Sequence, residues 1–156
     1  MTVVKKTKSV LLAYGLLIAW ALVIFYLSSE GSDASSGRSD VIVQTVQSWG
    51  VATTGTDFMT FLVRKSAHII AYFMFGGLVY NVIRHYKLPV RRALLVSGAI
   101  VLVYALSDEF HQLFVPGRSG EVRDVVIDTA AGVVGVCLAY LIHRKYVRIK
   151  AKRRVT

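Results

Sequence analysis

The chain has one cysteine, Cys137, so no internal disulfide can form, and a single thiol assigns no redox compartment. It has two prolines, Pro89 and Pro116, and no tandem repeat, which excludes a solenoid and leaves long stretches without a helix breaker. Charged residues are scarce, at 18% against 54% hydrophobic. With a mean hydropathy of +0.54, this composition excludes a disordered chain. No serine or cysteine stands out as a nucleophile, and no known metal-binding motif is present. The 156 residues suffice for one domain.

What the sequence does have is long apolar runs, at 10–27, 67–83, 93–107 and 125–142. The first carries no charge over its whole length. At about 1.5 Å per residue, such a run approaches the ~30 Å hydrocarbon core of a bilayer. A signal peptide competes for the first run, since Lys5, Lys6 and Lys8 precede it and the small residues Ser28 and Ser29 follow. The run is longer than the about 7–15 residues of a signal-peptide core, so a retained anchor is expected. The fold class expected is all-α: a polytopic membrane protein with a four-transmembrane-helix bundle. The spans fall at about 10–27, 66–84, 92–112 and 124–142, in one domain over 1–156 with a basic tail at 143–156.

Acidic residues are missing from three segments that are rich in basic ones. Lys5, Lys6 and Lys8, then Arg84, Lys87, Arg91 and Arg92, then the seven lysines and arginines from Arg144 onward make up fourteen of the nineteen basic residues. All nine carboxylates, Glu30 to Asp128, fall in the other segments. The positive-inside rule places both termini in the cytoplasm. The net charge of +10 is then explained by anionic lipid at the inner leaflet, and no nucleic-acid partner is expected. Membrane lipids are the expected partners; the sequence sets no oligomeric state.

Between the first two spans, the stretch "SSEGSDASSGRSD" reads as turn-rich. In "DVIVQTVQSWG" that follows, Ile42, Val46 and Trp49 recur at four and three, one helical face. Ser39 or Asp40 fits an N-cap and Gly50 a stop, which predicts a short amphipathic helix lying on the membrane surface with Trp49 at the interface. Pro116-Gly117 reads as a turn.

Depth arithmetic then locates the polar residues. Counting about twenty residues from the basic end of each span reaches Gln112 on the third, Arg64 on the second and Arg123 on the fourth. Asp108, Glu109, His111 and Gln112 thus share one depth with Arg64, Lys65 and His68 and with Asp124 and Asp128. Lys65, His68 and Tyr72 share a helical face, as do Tyr104, Asp108 and Gln112 (or His111). Asp124 and Asp128 share theirs with Gly132 and Gly135, whose lack of a side chain permits close helix approach. Ionisable groups at membrane depth normally face the bundle interior or a watery cavity. One outward-facing polar pocket between the second, third and fourth spans is expected, capped by Arg118 and Arg123. Simple ion pairs that lock the bundle are the competing explanation.

These same residues resemble the VanZ-like family. "RKSAHIIAY" at 64–72, "SDEFHQLFVPGRSGEVRDVVID" at 107–128, the following "TAAGVVG" and the earlier "W…FYLSSEGS" pattern carry the resemblance, which covers about residues 10–142. It implies a bacterial membrane protein of four or five helices, and the name-giving member is linked to resistance to the glycopeptide teicoplanin. The chain departs from the family at Asp128, where asparagine is frequent, and at Ala71, where some members carry an acidic residue.

Two functions fit the pocket. In the first, it binds a lipid headgroup, a lipid-linked envelope precursor or a lipoglycopeptide, with Arg64, Lys65, Tyr72, Gln112, Arg118, Asp124 and Asp128 as binding residues and arginine receiving phosphate or carboxylate bidentately. In the second, it is an enzyme on such a substrate, with His68, Asp108, Glu109 and His111 as acid–base groups. The sequence leaves enzyme status open. Two histidines and several carboxylates can hold a divalent ion, but without a motif no metal and no cofactor is assigned. Asp108 and Glu109 diverge by about 100° on a helix, so both cannot face one partner. Asp108 is expected to pair with Arg64 and Lys65, and Glu109 to carry a proton.

Overall fold

The computed structural model describes residues 2–49 and 56–153. These form five helices: α1 (Thr2–Ser28), α2 (Ser32–Ser48), α3 (Thr56–Ile83), α4 (Val90–Gln112) and α5 (Val122–Lys152), with a 3-10 turn at Arg84–Tyr86 after α3. Among the described residues there is no strand. Four segments are long and apolar enough to cross a membrane, namely Thr7–Ser28, Phe58–Tyr86, Val90–Gln112 and Val122–Lys152. The all-α bundle of four spans plus one shorter helix is therefore as the apolar runs indicated.

Two spans exceed their apolar runs. The third helix begins at Thr56, before the expected 66, and α5 continues to Lys152, past the expected 142. Neither extension holds a proline, and the lysines and arginines of the tail are good helix formers, so the hydrogen-bond ladder continues where the apolar pattern stops. The segment read as a separate basic tail is largely the last turns of α5.

The second helix corrects the turn-rich reading of residues 28–39. It starts at Ser32, with Gly31 at its N-cap, and runs through the serine-rich stretch. Ser35, Ser39 and Val43, spaced at four, are buried along its inner face, which packs on α3. Small residues permit that approach where a propensity reading sees only turn formers. Of the apolar face foreseen from the spacing, Trp49 (76% exposed) points away from the bundle, Val46 is half-buried, and Ile42 (51% exposed) borders the space between α2 and α3. Gly50, the expected stop, lies outside the described residues.

At the centre is α3, packed against every other helix. Its tightest partner is α5, because glycines meet backbone there. A Cβ at Gly76 would run into the Gly132 carbonyl, and one at Gly135 into the carbonyl of Phe73. Lipid offers no hydrophobic drive between helices, so such backbone approach supplies the van der Waals contact that holds them. Tyr72, Phe75 and Val79 of α3, Val101 and Ala105 of α4 and Val136 of α5 fill the core. Trp20 Nε1 donates to the Ala71 carbonyl (2.9 Å), and the Tyr104 hydroxyl donates to the Ala21 carbonyl (2.6 Å), tying α1 to the bundle. Leu11, Leu12, Leu22, Leu95, Val103 and Leu141 lie on the outside, as residues that face acyl chains do.

The charges divide as the sequence predicts. At the basic end, Tyr14 and Tyr86 hydroxyls meet and Arg84 Nη1 lies 3.0 Å from His143 Nδ1. Every carboxylate of the described spans gathers at the opposite, acidic end. There the left-handed Gly117 (φ 72°) turns the α4–α5 loop, where a side chain would be strained.

Candidate functional site

Three helices deliver the site. Lys65, His68 and Tyr72 lie on one face of α3, three and four residues apart. Asp108, Glu109 and Gln112 end α4, and Asp124 and Asp128 open α5. All of Asp108, Glu109, Gln112 and Asp128 are buried, as the depth count required. The carboxylates then divide into three settings.

Asp124 pairs with Lys65. Glu109 is turned to the α4–α5 loop. Its Oε2 accepts the Glu121 N–H (2.9 Å) and its Oε1 accepts from Gln112 Nε2 (3.3 Å). Gly120 passes so close that a Cβ there would stand 2.7 Å from the Glu109 carbonyl oxygen. Asp108 and Asp128 form the third setting, deepest in the bundle. The Tyr72 hydroxyl donates to Asp108 Oδ2 (3.0 Å), and His68 Nδ1 lies 3.4 Å from Asp128 Oδ2. One ligand-type atom each from His68, Asp108 and Asp128 lies within 4.8 Å of the others. No motif announced this group, because its members stand forty and twenty residues apart on three helices.

Asp108 and Glu109 do diverge around α4, as helical geometry demands. The expected pairing of Asp108 with Arg64 and Lys65 is corrected: Asp108 faces Tyr72, and Lys65 meets Asp124 instead. Lys65 lies about two turns from Tyr72, toward the acidic end, which sets it level with the first turn of α5 rather than with Asp108.

Two cavities flank this core. The larger, about 280 Å³, lies between α1, α2 and α3 beneath the α4–α5 loop, and Ile24, Leu27, Ile42, Val63 and Ala67 give it apolar walls. The smaller, about 100 Å³, is bounded by Phe61, Lys65, Gln112, Glu121 and Asp124. Arg64, His68 and Arg118 line both. The single pocket expected between the second, third and fourth spans is thus the smaller of two. The larger opens toward α1 and α2, which the sequence had left out of the site.

Cations exceed carboxylates around these cavities. Arg64 makes no hydrogen bond or ion pair among the described residues. Arg118 donates from Nε to the Glu30 carbonyl (3.2 Å) and has no carboxylate at ion-pair distance among the described residues. Burial, and then the charge of Arg64, holds the Arg118 guanidinium below its usual pKa. Two like charges held near each other favour an anion between them. Arg38, also on the larger cavity, pairs with Glu30.

His111 does not join them. It turns to α1, where Nε2 lies 3.1 Å from Ser29 Oγ and the ring stacks on Phe25 at 4.6 Å. Arg123, mostly exposed, borders the smaller cavity at its rim and pairs there with Glu121 (2.8 Å). The sequence missed Ser28, Ser35, Arg38 and Ser39, all of which line the larger cavity. Their signal was a serine every four residues through 35 and 39, masked by turn-forming neighbours.

Four helices long and apolar enough to span a membrane, with ionisable groups buried between them, mark a multi-pass membrane protein. The sequence matches the VanZ/LLP1 family over residues 13–143, and the chain belongs to that family. Neither the curated proteins nor the solved structures contain a match.

Proposed function

We propose that the chain sits in the bacterial cytoplasmic membrane with both termini cytoplasmic, and that its acidic end opens at the outer leaflet to hold an anionic amphiphile. A lipid headgroup, a lipid-linked envelope precursor or a lipoglycopeptide has the required form, and capture of the last would contribute to teicoplanin-type glycopeptide resistance. The observation that carries this reading is the pair Arg64 and Arg118. Both face the same two cavities, and neither has a carboxylate at ion-pair distance among the described residues. Guanidinium groups bind phosphate or carboxylate through paired N–H bonds, and the apolar walls beside them suit an acyl chain. At about 280 Å³ the larger cavity approaches the low end of small-ligand sites.

A second reading, a hydrolase or transferase acting on such a lipid-linked substrate, is favoured by one arrangement. His68, beside both arginines, has a carboxylate, Asp128, behind its Nδ1. An orienting carboxylate sets the tautomer that lets the other ring nitrogen act as a base.

Resistance of a susceptible host to teicoplanin tests the proposal. Expression of the wild type should raise it, expression of Arg64→Gln/Arg118→Gln should not, and His68→Asn should keep it if the site only binds. Orientation is checked in a chain with Cys137 replaced by alanine. Impermeant thiol reagent added outside should label Ser119→Cys and spare Arg91→Cys. An unprotected host, or the reverse labelling, contradicts the proposal.

A further inference from the structure

We propose that His68, Asp108 and Asp128 hold a divalent first-row transition-metal ion, such as Zn²⁺ or Mn²⁺, at the floor of the larger cavity. The geometry comes first. Two ligands at about 2.1 Å from a tetrahedral metal stand roughly 3.4 Å apart, and His68 Nδ1 and Asp128 Oδ2 are 3.4 Å apart. All three donor atoms lie within 4.8 Å of one another. A pair at the outer limit of 4.8 Å closes by about 1.4 Å to reach the tetrahedral separation, a movement that rotation of the two side chains shares.

Charge is the second ground. Asp108 is 4% exposed and Asp128 2%, side by side at membrane depth. Among the described residues no lysine or arginine lies within ion-pair distance of either. Lys65 is taken by Asp124, and Arg118 rests on the Glu30 carbonyl. Two carboxylates this close, out of water, require a cation or a proton between them. One imidazole and two carboxylates are a donor set that suits zinc or manganese.

The third ground is the shell around the cluster. Ser28 Oγ, on α1, is 1% exposed and stands against the Asp108 carboxyl. Tyr72, itself wholly buried, donates to Asp108 Oδ2 (3.0 Å), as outer-shell groups do to a ligating carboxylate. Ser28, His68 and Tyr72 all line the larger cavity with Arg64 and Arg118. Three protein ligands with an open position facing a cavity is the pattern of reactive zinc sites rather than structural ones. The ion and the two guanidiniums would then address one anionic group together. The ion site does not rest on the amphiphile reading, since no lipid enters its geometry.

Purified full-length protein in detergent, stripped with chelator, would be titrated calorimetrically with Zn²⁺ and separately with Mn²⁺, no lipid being added. One saturable site per chain is expected for at least one ion. His68→Gln, Asp108→Asn and Asp128→Asn should each weaken it by about tenfold or more, while His143→Gln, at the basic end, should leave it unchanged. Bound ion should raise the melting temperature of the wild type and not of the three variants. Absence of saturable binding by the wild type means a shared proton takes the ion's place and overturns the proposal, whatever the variants do. Binding that survives all three substitutions overturns it as well.

Discussion

Along one flank of α3, backbone meets backbone. Gly76, Gly132 and Gly135 bring α3 and α5 together with no room for a side chain. Along the other flank, α1 and α2 stand off, and serines and short aliphatic residues leave a cavity of about 280 Å³. The charges divide as well. Asp108, Asp128 and Asp124 are held by Tyr72, His68 and Lys65 of α3, while Arg64 and Arg118 border the open space of both cavities. A bundle in lipid gains association energy from close packing and small polar contacts rather than from burying apolar surface. One glycine seam can therefore hold the fold and leave the other flank free for a guest.

The seam gives the largest expected effect. Gly135→Leu should abolish recovery of monodisperse protein from membranes in size-exclusion chromatography, because the blocking atoms are backbone and cannot yield. Ser39→Leu places the same side chain on the loose flank, where the cavity can receive it, and should leave recovery near the wild-type level. If both variants are lost, or both kept, the contrast between the flanks fails.

Next comes the cationic lining. Hydrogen bonds to charged groups are worth about 1.5–3 kcal/mol. Arg64→Gln and Arg118→Gln should each weaken an anionic lysolipid roughly tenfold to a hundredfold. A zwitterionic lysolipid of the same chain length should lose little. Equal losses for both lipids, in tryptophan-fluorescence titrations, would mean that the arginines shape the cavity rather than read charge.

Smallest should be the ion pair on the tight side. Lys65 and Asp124 are each about one-fifth exposed, and partly solvated pairs contribute about 1 kcal/mol or less. A double-mutant cycle of Lys65→Met and Asp124→Asn on thermal stability should return a coupling of that size. A coupling of several kcal/mol would make the pair a lock on the bundle and favour a purely structural use of the polar residues.

Parts of this were legible in the sequence for physical reasons. Spans show as uncharged runs because lipid tolerates little else, and the Lys65–His68–Tyr72 face shows because helical spacing is rigid. Gly132 and Gly135 were readable as contact points. Their partner on α3 was not, since nothing in one helix states which neighbour it meets. Counting twenty residues places a group only to within a turn or so, too coarse to decide that Lys65 meets Asp124 and not Asp108. Ser28 looked like the flank of a signal peptide, and the serines of α2 looked like a turn. Both line the cavity because the return path of the chain brings α1 and α2 against α3, a tertiary fact with no local signature. His111 shared a depth with the site but points to Phe25, and depth does not fix direction.

Native mass spectrometry of the purified protein tests the central claim most directly, that Arg64 and Arg118 hold an anionic headgroup beside an apolar cavity. The wild type, offered equal amounts of an anionic and a zwitterionic lysolipid of one chain length, should retain one anionic molecule per chain. Arg64→Gln/Arg118→Gln should lose that preference, and Ser39→Leu should lose the lipid altogether. Equal retention of both lipids by the wild type, or an unchanged preference in the double variant, would contradict it.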